Sequence, residues 1–144
     1  MHFGGQINDA NSNTIWWEIL ESKLGIIPPE KRSDQGFDVG AKPHIPRTQI
    51  LARYFLSTIY KYQFFESLCG IAGMSSNLSN CSIYGNEEAG EKLRAMMAAG
   101  ASRPWPETFS NLTGTEELSA SSILNYYAPL REWLNNNNPK NCKF

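Results

Sequence analysis

The stretch TQILARYFLSTIYKYQFFESLCGIA, residues 48–72, decides the fold. Leu51, Tyr54, Phe55, Ile59, Tyr62, Phe65, Leu68, Cys69 and Ala72 recur at steps of three and four, the repeat of one helix face. No Gly or Pro interrupts before Gly70, and Gly70 and Gly73 lie where a stop is expected. The spacing predicts a helix from Thr48 to about Ala72, close to seven turns.

Upstream, Thr14 to Lys23 holds Ile15, Trp16, Trp17, Ile19 and Leu20, which reads as a short helix capped by Thr14 and stopped at Gly25. Pro28-Pro29 excludes helix, and EKRSDQGFDVGAK (30–42) is polar and rich in turn formers. Downstream, Asn86 is placed to cap a helix of roughly Glu87 to Ala99, with Gly100 just past its end. Pro106 suits a first helical turn, predicting a short helix to about Leu112 that stops at Gly114. Ser119 caps a last helix from Ala120 to about Leu134, bent by Pro129. Residues 1–13 and 135–144 read as loose ends. No strand and no internal repeat stands out, so the expected fold class is all-α.

Composition narrows the function. Apolar content of 41% and aromatic content of 12% in 144 residues are those of a folded chain. A net charge of −1 leaves no basic footprint for nucleic acid. No apolar run reaches the roughly 20 residues of a membrane span. The opening MHFGGQINDANS has neither a basic nor an apolar region, so no signal peptide is expected in this chain.

Cys69, Cys81 and Cys142 make an odd count. Cys69 and Cys81 enclose a Ser/Asn-rich turn that can close as a local disulfide; three reduced thiols are the equal alternative. Asn77, Asn80 and Asn111 each begin a glycosylation sequon.

The chain has two histidines, His2 and His44, and neither lies in an H-E-x-x-H helix. No metal is therefore assigned to it. Phosphate loops and nucleophile elbows are also missing. Lys42, His44, Arg53 and Tyr54 form the one cluster with chemical potential. Lys42 and His44 alternate along a segment flanked by Pro43 and Pro46, expected to be extended, so both face one way. An ammonium can take a carboxylate, and an imidazole and a phenol can donate to an oxyanion. A solvated lysine, a packed histidine and a core tyrosine are the plainer reading of the same residues.

These residues resemble the angiotensin-converting enzyme family of zinc peptidyl-dipeptidases. The resemblance rests on Gly40-Ala-Lys-Pro-His-Ile-Pro46, Arg53-Tyr54-Phe55, Tyr62-Gln-Phe64 and Cys69. Trp16-Trp17, Pro28-Pro29, Phe37-Asp38, Cys81, Ile83-Tyr84, Glu88-Ala89-Gly90 and Ser102-Arg-Pro-Trp-Pro-Glu107 follow in family order. The resemblance implies a single partial domain over 1–144, the C-terminal part of a large helical peptidase that releases dipeptides from peptide C-termini. It implies that Lys42 binds the substrate carboxylate, that His44 and Tyr54 serve the oxyanion, and that Arg53 and Trp16 adjoin chloride. It also implies a Cys69–Cys81 disulfide, a glycosylated, secreted or membrane-tethered setting, and zinc held by residues this chain lacks.

Leu51, Leu20, Thr58 and Pro43 depart from the family pattern: a carboxylate-gripping tyrosine, a chloride-binding arginine and two aromatics are replaced. The competing expectation is a catalytically inactive truncated product that acts, if at all, as a binding or scaffold fragment. Such a fragment is expected to expose the Trp16/Trp17 face and the long helix.

Overall fold

The computed structural model describes residues 4–47 and 49–137. Cys142, His2 and Thr48 lie outside the described residues. Six α-helices are present among them: α1 (Ser12–Leu24), α2 (Ala52–Ile71), α3 (Glu87–Ala99), α4 (Trp105–Thr113), α5 (Ser121–Tyr126) and α6 (Ala128–Asn137). Short 3-10 turns cover Asp38–Ala41 and Leu78–Asn80, and the described residues include no strand. The fold class is all-α. None of these helices is long and apolar enough to cross a membrane. The chain divides into two compact units, the second beginning at Ala52, and each is described by itself.

In the first unit, α1 starts earlier than expected and is capped differently. Thr14 lies inside the helix. Its N–H and its hydroxyl both donate to Asp34, at 2.8 and 2.6 Å. A carboxylate twenty residues away thus satisfies an orphan N–H at the positive end of the helix. Asn13, expected in a loose end, is 1% exposed. Its Nδ2 donates to Ser33 O and to Asp38 Oδ2, both at 2.9 Å, and its Oδ1 accepts from Asp38 N at 2.8 Å. The helix ends as expected at Gly25, whose φ of +67° is open to a residue without Cβ. Trp16 and Trp17 are half-buried rather than presented as an exposed face.

In the second unit, α2 is the central element and packs on α3, α4 and α5. It begins at Ala52, because Gln49, Ile50 and Leu51 are not helical. Leu68, Ala89 and Leu112 are buried together, with Phe64, Ile71, Ile83, Leu93 and Met96 packed against them. Fully burying a leucine such as Leu68 or Leu112 contributes about 1.5–3 kcal/mol. Asn86 caps α3 through a bond from Ala89 N to its Oδ1 at 2.8 Å, as its position predicts.

The rings of Tyr60, Phe64, Trp105 and Phe109 meet at centroid distances of 5.3–6.3 Å. Gln63, 6% exposed, closes both ends of its amide on one loop: Nε2 donates to Glu117 O, and Oε1 accepts from Ser119 N, each at 3.0 Å.

The last predicted helix is two. Tyr127 separates α5 from α6, and Pro129 sits second in α6. A first-turn proline needs no N–H, so Pro129 starts a helix instead of bending one. Residues 135–137, expected to be loose, complete α6. Ser119 does not cap with the expected geometry. Ala120 takes the cap position, while the Ser119 hydroxyl accepts from Ser121 N at 3.1 Å.

Cys69 and Cys81 are joined in a disulfide with Cα atoms 6.1 Å apart, which settles the alternatives left open by their spacing. Cys69 is fully buried.

Candidate functional site

The segment bearing Lys42 and His44 is a run of turns, not an extended strand. Ile45 N donates to Lys42 O at 2.9 Å, Arg47 N to Pro43 O at 3.3 Å, and Gln49 N to His44 O at 3.0 Å. Pro43 explains the difference. Its fixed φ disfavours helix before it yet suits the second position of a β-turn, here Lys42-Pro43-His44-Ile45. Lys42 is exposed and extended, at φ −80° and ψ 110°. His44 is half-buried, and its Nδ1 is shielded from water without a hydrogen-bond partner.

What holds this segment is a carboxylate just upstream. Asp38 opens the 3-10 turn that delivers Lys42, and Lys42 N closes that turn on Val39 O at 3.2 Å. Asp38 Oδ2 accepts from Trp17 Nε1 at 2.8 Å and from Asn13 Nδ2 at 2.9 Å, with Arg32 Nε at 3.7 Å. The indole N–H first, then the Asn13 amide and the Arg32 charge, favour the ionised form and hold this carboxyl below its ordinary value. Asp34 is likewise lowered, by the Thr14 hydroxyl first and the Thr14 N–H second. Sequence reading missed Asn13 and gave Asp38 only as part of the Phe37-Asp38 motif, without its anchoring role.

Trp16 lines a cavity of about 640 Å³ with Ile15, Ile19, Phe37 and the carboxylates of Asp9 and Asp34. No Lys or Arg is among its lining residues, so any anion there would need a cation from elsewhere.

Arg53 and Tyr54 belong to the second unit, in the first turn of α2. The Arg53 guanidinium carbon lies 5.8 Å from the Tyr54 ring centroid, within cation–π range. Tyr54 is 60% exposed. Its carbonyl accepts from the Ser57 and Thr58 hydroxyls at 3.0 and 2.9 Å, so Thr58 is turned back onto its own helix. Lys42 with His44, and Arg53 with Tyr54, are thus two local pairs.

The family model for angiotensin-converting enzyme matches residues 1–144. The chain belongs to the angiotensin-converting enzyme family. It is 44% identical over 132 residues to angiotensin-converting enzyme of Oryctolagus cuniculus, covering 92% of this chain and 10% of that protein. To the angiotensin-converting enzyme of Theromyzon tessulatum it is 41% identical over 138 residues, 96% of this chain and 22% of that protein. The angiotensin-converting enzyme-like protein Ace3 of Mus musculus is 38% identical over 138 residues, 96% and 19% of the two lengths. The chain therefore spans between about a tenth and a fifth of these family members.

Proposed function

We propose that this chain supplies the carboxylate-binding and oxyanion-stabilising part of a zinc peptidyl-dipeptidase, as one partial domain of a larger extracellular or membrane-tethered enzyme. The Lys42 ammonium takes the free C-terminal carboxylate of the peptide. The His44 imidazole and the Tyr54 phenol donate to the oxyanion formed when the scissile carbonyl is attacked. Each such donor is worth about 2.7–4 kcal/mol in a transition state. The Arg53 guanidinium holds an activating chloride, and Trp16 borders a second anion position only where the missing chain supplies a cation.

The observation that carries the reading is His44: a shielded imidazole nitrogen without a partner, on the same turn as an exposed lysine. A histidine serving only to pack would satisfy that nitrogen. The disulfide supports an oxidising compartment.

The family implies zinc, and the residues present do not fit it. Among the described residues no group of three or more His, Cys, Asp or Glu is placed to hold a metal, and Cys69 and Cys81 are bonded to each other. No step here is routed through a metal, which we place on residues outside this chain.

The test uses the purified chain and a short peptide, offered as the free acid and as the C-terminal amide. The acid is expected to shift the Lys42 and His44 NMR signals, and Lys42→Gln to weaken its binding about tenfold, equivalent to ~1.4 kcal/mol. Equal binding of acid and amide would remove Lys42 from this role. Tightly held zinc with chelator-sensitive dipeptide release would overturn the partial-site reading.

A non-enzymatic binding fragment is favoured by one feature of the second unit. Tyr60, Phe64, Phe65, Met96, Trp105 and Phe109 line an apolar recess of about 820 Å³. Saturable binding of an apolar dye there, abolished by Phe109→Arg, with no discrimination between acid and amide peptides, would favour that reading.

A further inference from the structure

The aromatic recess of the second unit has a polar neighbour. Leu68 and Phe109, 4% and 3% exposed, form its floor, and Trp105, 57% exposed, stands at its rim. Tyr60 ties the walls together, with ring centroids 5.3 Å from Phe109 and 5.7 Å from Trp105. A volume of about 820 Å³ suits one small molecule rather than an extended segment. An adjoining recess of about 500 Å³ shares Met96, Arg103 and Thr108 with it and adds Lys92 and Asn111.

Charge around the two recesses is one-sided. Lys61 lines the first, Lys92 the second and Arg103 both, and neither lining includes Asp or Glu. The whole chain carries −1, so this positive rim is a local arrangement. Among the described residues none of the three cations is ion-paired with a carboxylate. Lys61 is positioned instead by the Tyr62 ring, with Nζ 4.7 Å from the centroid. Thr108 supplies an independent sign. Its hydroxyl is shielded from water and has no hydrogen-bond partner, on the wall that both recesses share. Buried hydroxyls are ordinarily bonded, and the oxygen of an anion at that wall provides the acceptor.

We propose that the joined recesses bind one long-chain carboxylate, a free fatty-acid anion. Its alkyl chain lies against Tyr60, Phe64 and Phe109, and its head sits at Arg103 and Thr108. An inorganic anion would leave the rings uncovered, and an uncharged hydrocarbon would leave the cations and the Thr108 hydroxyl unanswered. The site uses none of the residues assigned to the peptide, so either reading can fail alone.

Isothermal titration of the full, disulfide-bonded chain with dodecanoate, kept below its micelle concentration, reads the site directly. Saturable one-to-one binding is expected, weaker for octanoate and weaker as salt rises. Arg103→Gln, at an exposed position, is expected to weaken dodecanoate binding about tenfold. Ala101→Trp, also exposed, sets a large side chain on the recess wall and is expected to abolish binding. Dodecyltrimethylammonium bound as tightly as dodecanoate, or binding untouched by Arg103→Gln, overturns the proposal. Displacement of dodecanoate by the acid peptide also overturns it, because the carboxylate would then sit at Lys42. Adsorption to anionic phospholipid vesicles without binding of monomeric dodecanoate would give the recess to a membrane. A dimer that dodecanoate does not dissociate would give it to a second copy of the chain. Either result overturns the proposal.

Discussion

Between Ser12 and Ala41 the first unit is fastened by polar groups with directions. Asp38 meets an indole N–H, an amide and a guanidinium; Asp34 meets both donors of Thr14; Asn13 closes three bonds while almost fully buried. The second unit is fastened mainly by apolar contact, with Phe109 at 3% exposure among three other rings and Leu68, Ala89 and Leu112 beneath them. Hydrogen bonds of the first kind define where a loop sits but leave little net stability each, about 0.5–1.5 kcal/mol. Apolar burial gives larger stability and less specific placement. The turn bearing Lys42 and His44 follows the polar fastening directly, as the role proposed for these two groups requires.

The contrast is most easily broken at Phe109. Phe109→Ala should cost about 3–5 kcal/mol in the urea unfolding of the second unit, since a ring packed by Tyr60, Phe64 and Trp105 leaves a cavity. A cost below about 1 kcal/mol would mean those rings close up freely, and the contrast would collapse.

Asn13→Ala tests the polar side. It strands Asp38 N and Ser33 O, a penalty of about 1–3 kcal/mol. Exchange of the Asp38 amide should accelerate while amides in α2, α3 and α4 keep their rates. Uniform acceleration through both units would show that the fastening is not local.

Acid and alkali should separate the units with the smallest effect of the three. Asp34 and Asp38 are lowered, so their stabilisation is complete above the ordinary carboxylate pKa, about 3.9, and is lost as pH falls through the lowered values. Tyr62 is pushed up to about 12, chiefly because its hydroxyl donates to the Tyr127 oxygen at 2.9 Å. Its stabilisation is complete below about 10 and fades as pH climbs towards 12. The Trp17 indole resonance should therefore report loosening only in acid, and tyrosinate absorbance with Tyr126 and Tyr127 signals only in alkali. Loosening of both in one window would contradict the separate fastenings.

How far the sequence was readable follows the same divide. α2, α3 and α4 were legible because periodicity, Asn86, Pro106 and Gly114 act within a turn or two of the residues they govern. The cap of α1 was not, because its acceptor is Asp34, a partner twenty residues away that no local pattern marks. Asn13 was lost in a Gly/Asn-rich opening for the same reason. The turn at Pro43 was misjudged because proline excludes helix while leaving both β-turn and extended backbone open. Lys42, His44, Arg53 and Tyr54 stood out by their residue chemistry, and the resemblance to the angiotensin-converting enzyme family supplied the roles proposed for them. Asn13, Asp34 and Asp38, which hold the first pair in place, needed coordinates.

The bridge from Cys69 to Cys81 encloses the turn from Gly73 to Asn80 and ties it to the end of α2. A protease that nicks this turn cuts the backbone without parting the halves. Such a molecule runs as one species on a gel until a thiol is added, so a single band under non-reducing conditions is no proof of an uncut chain.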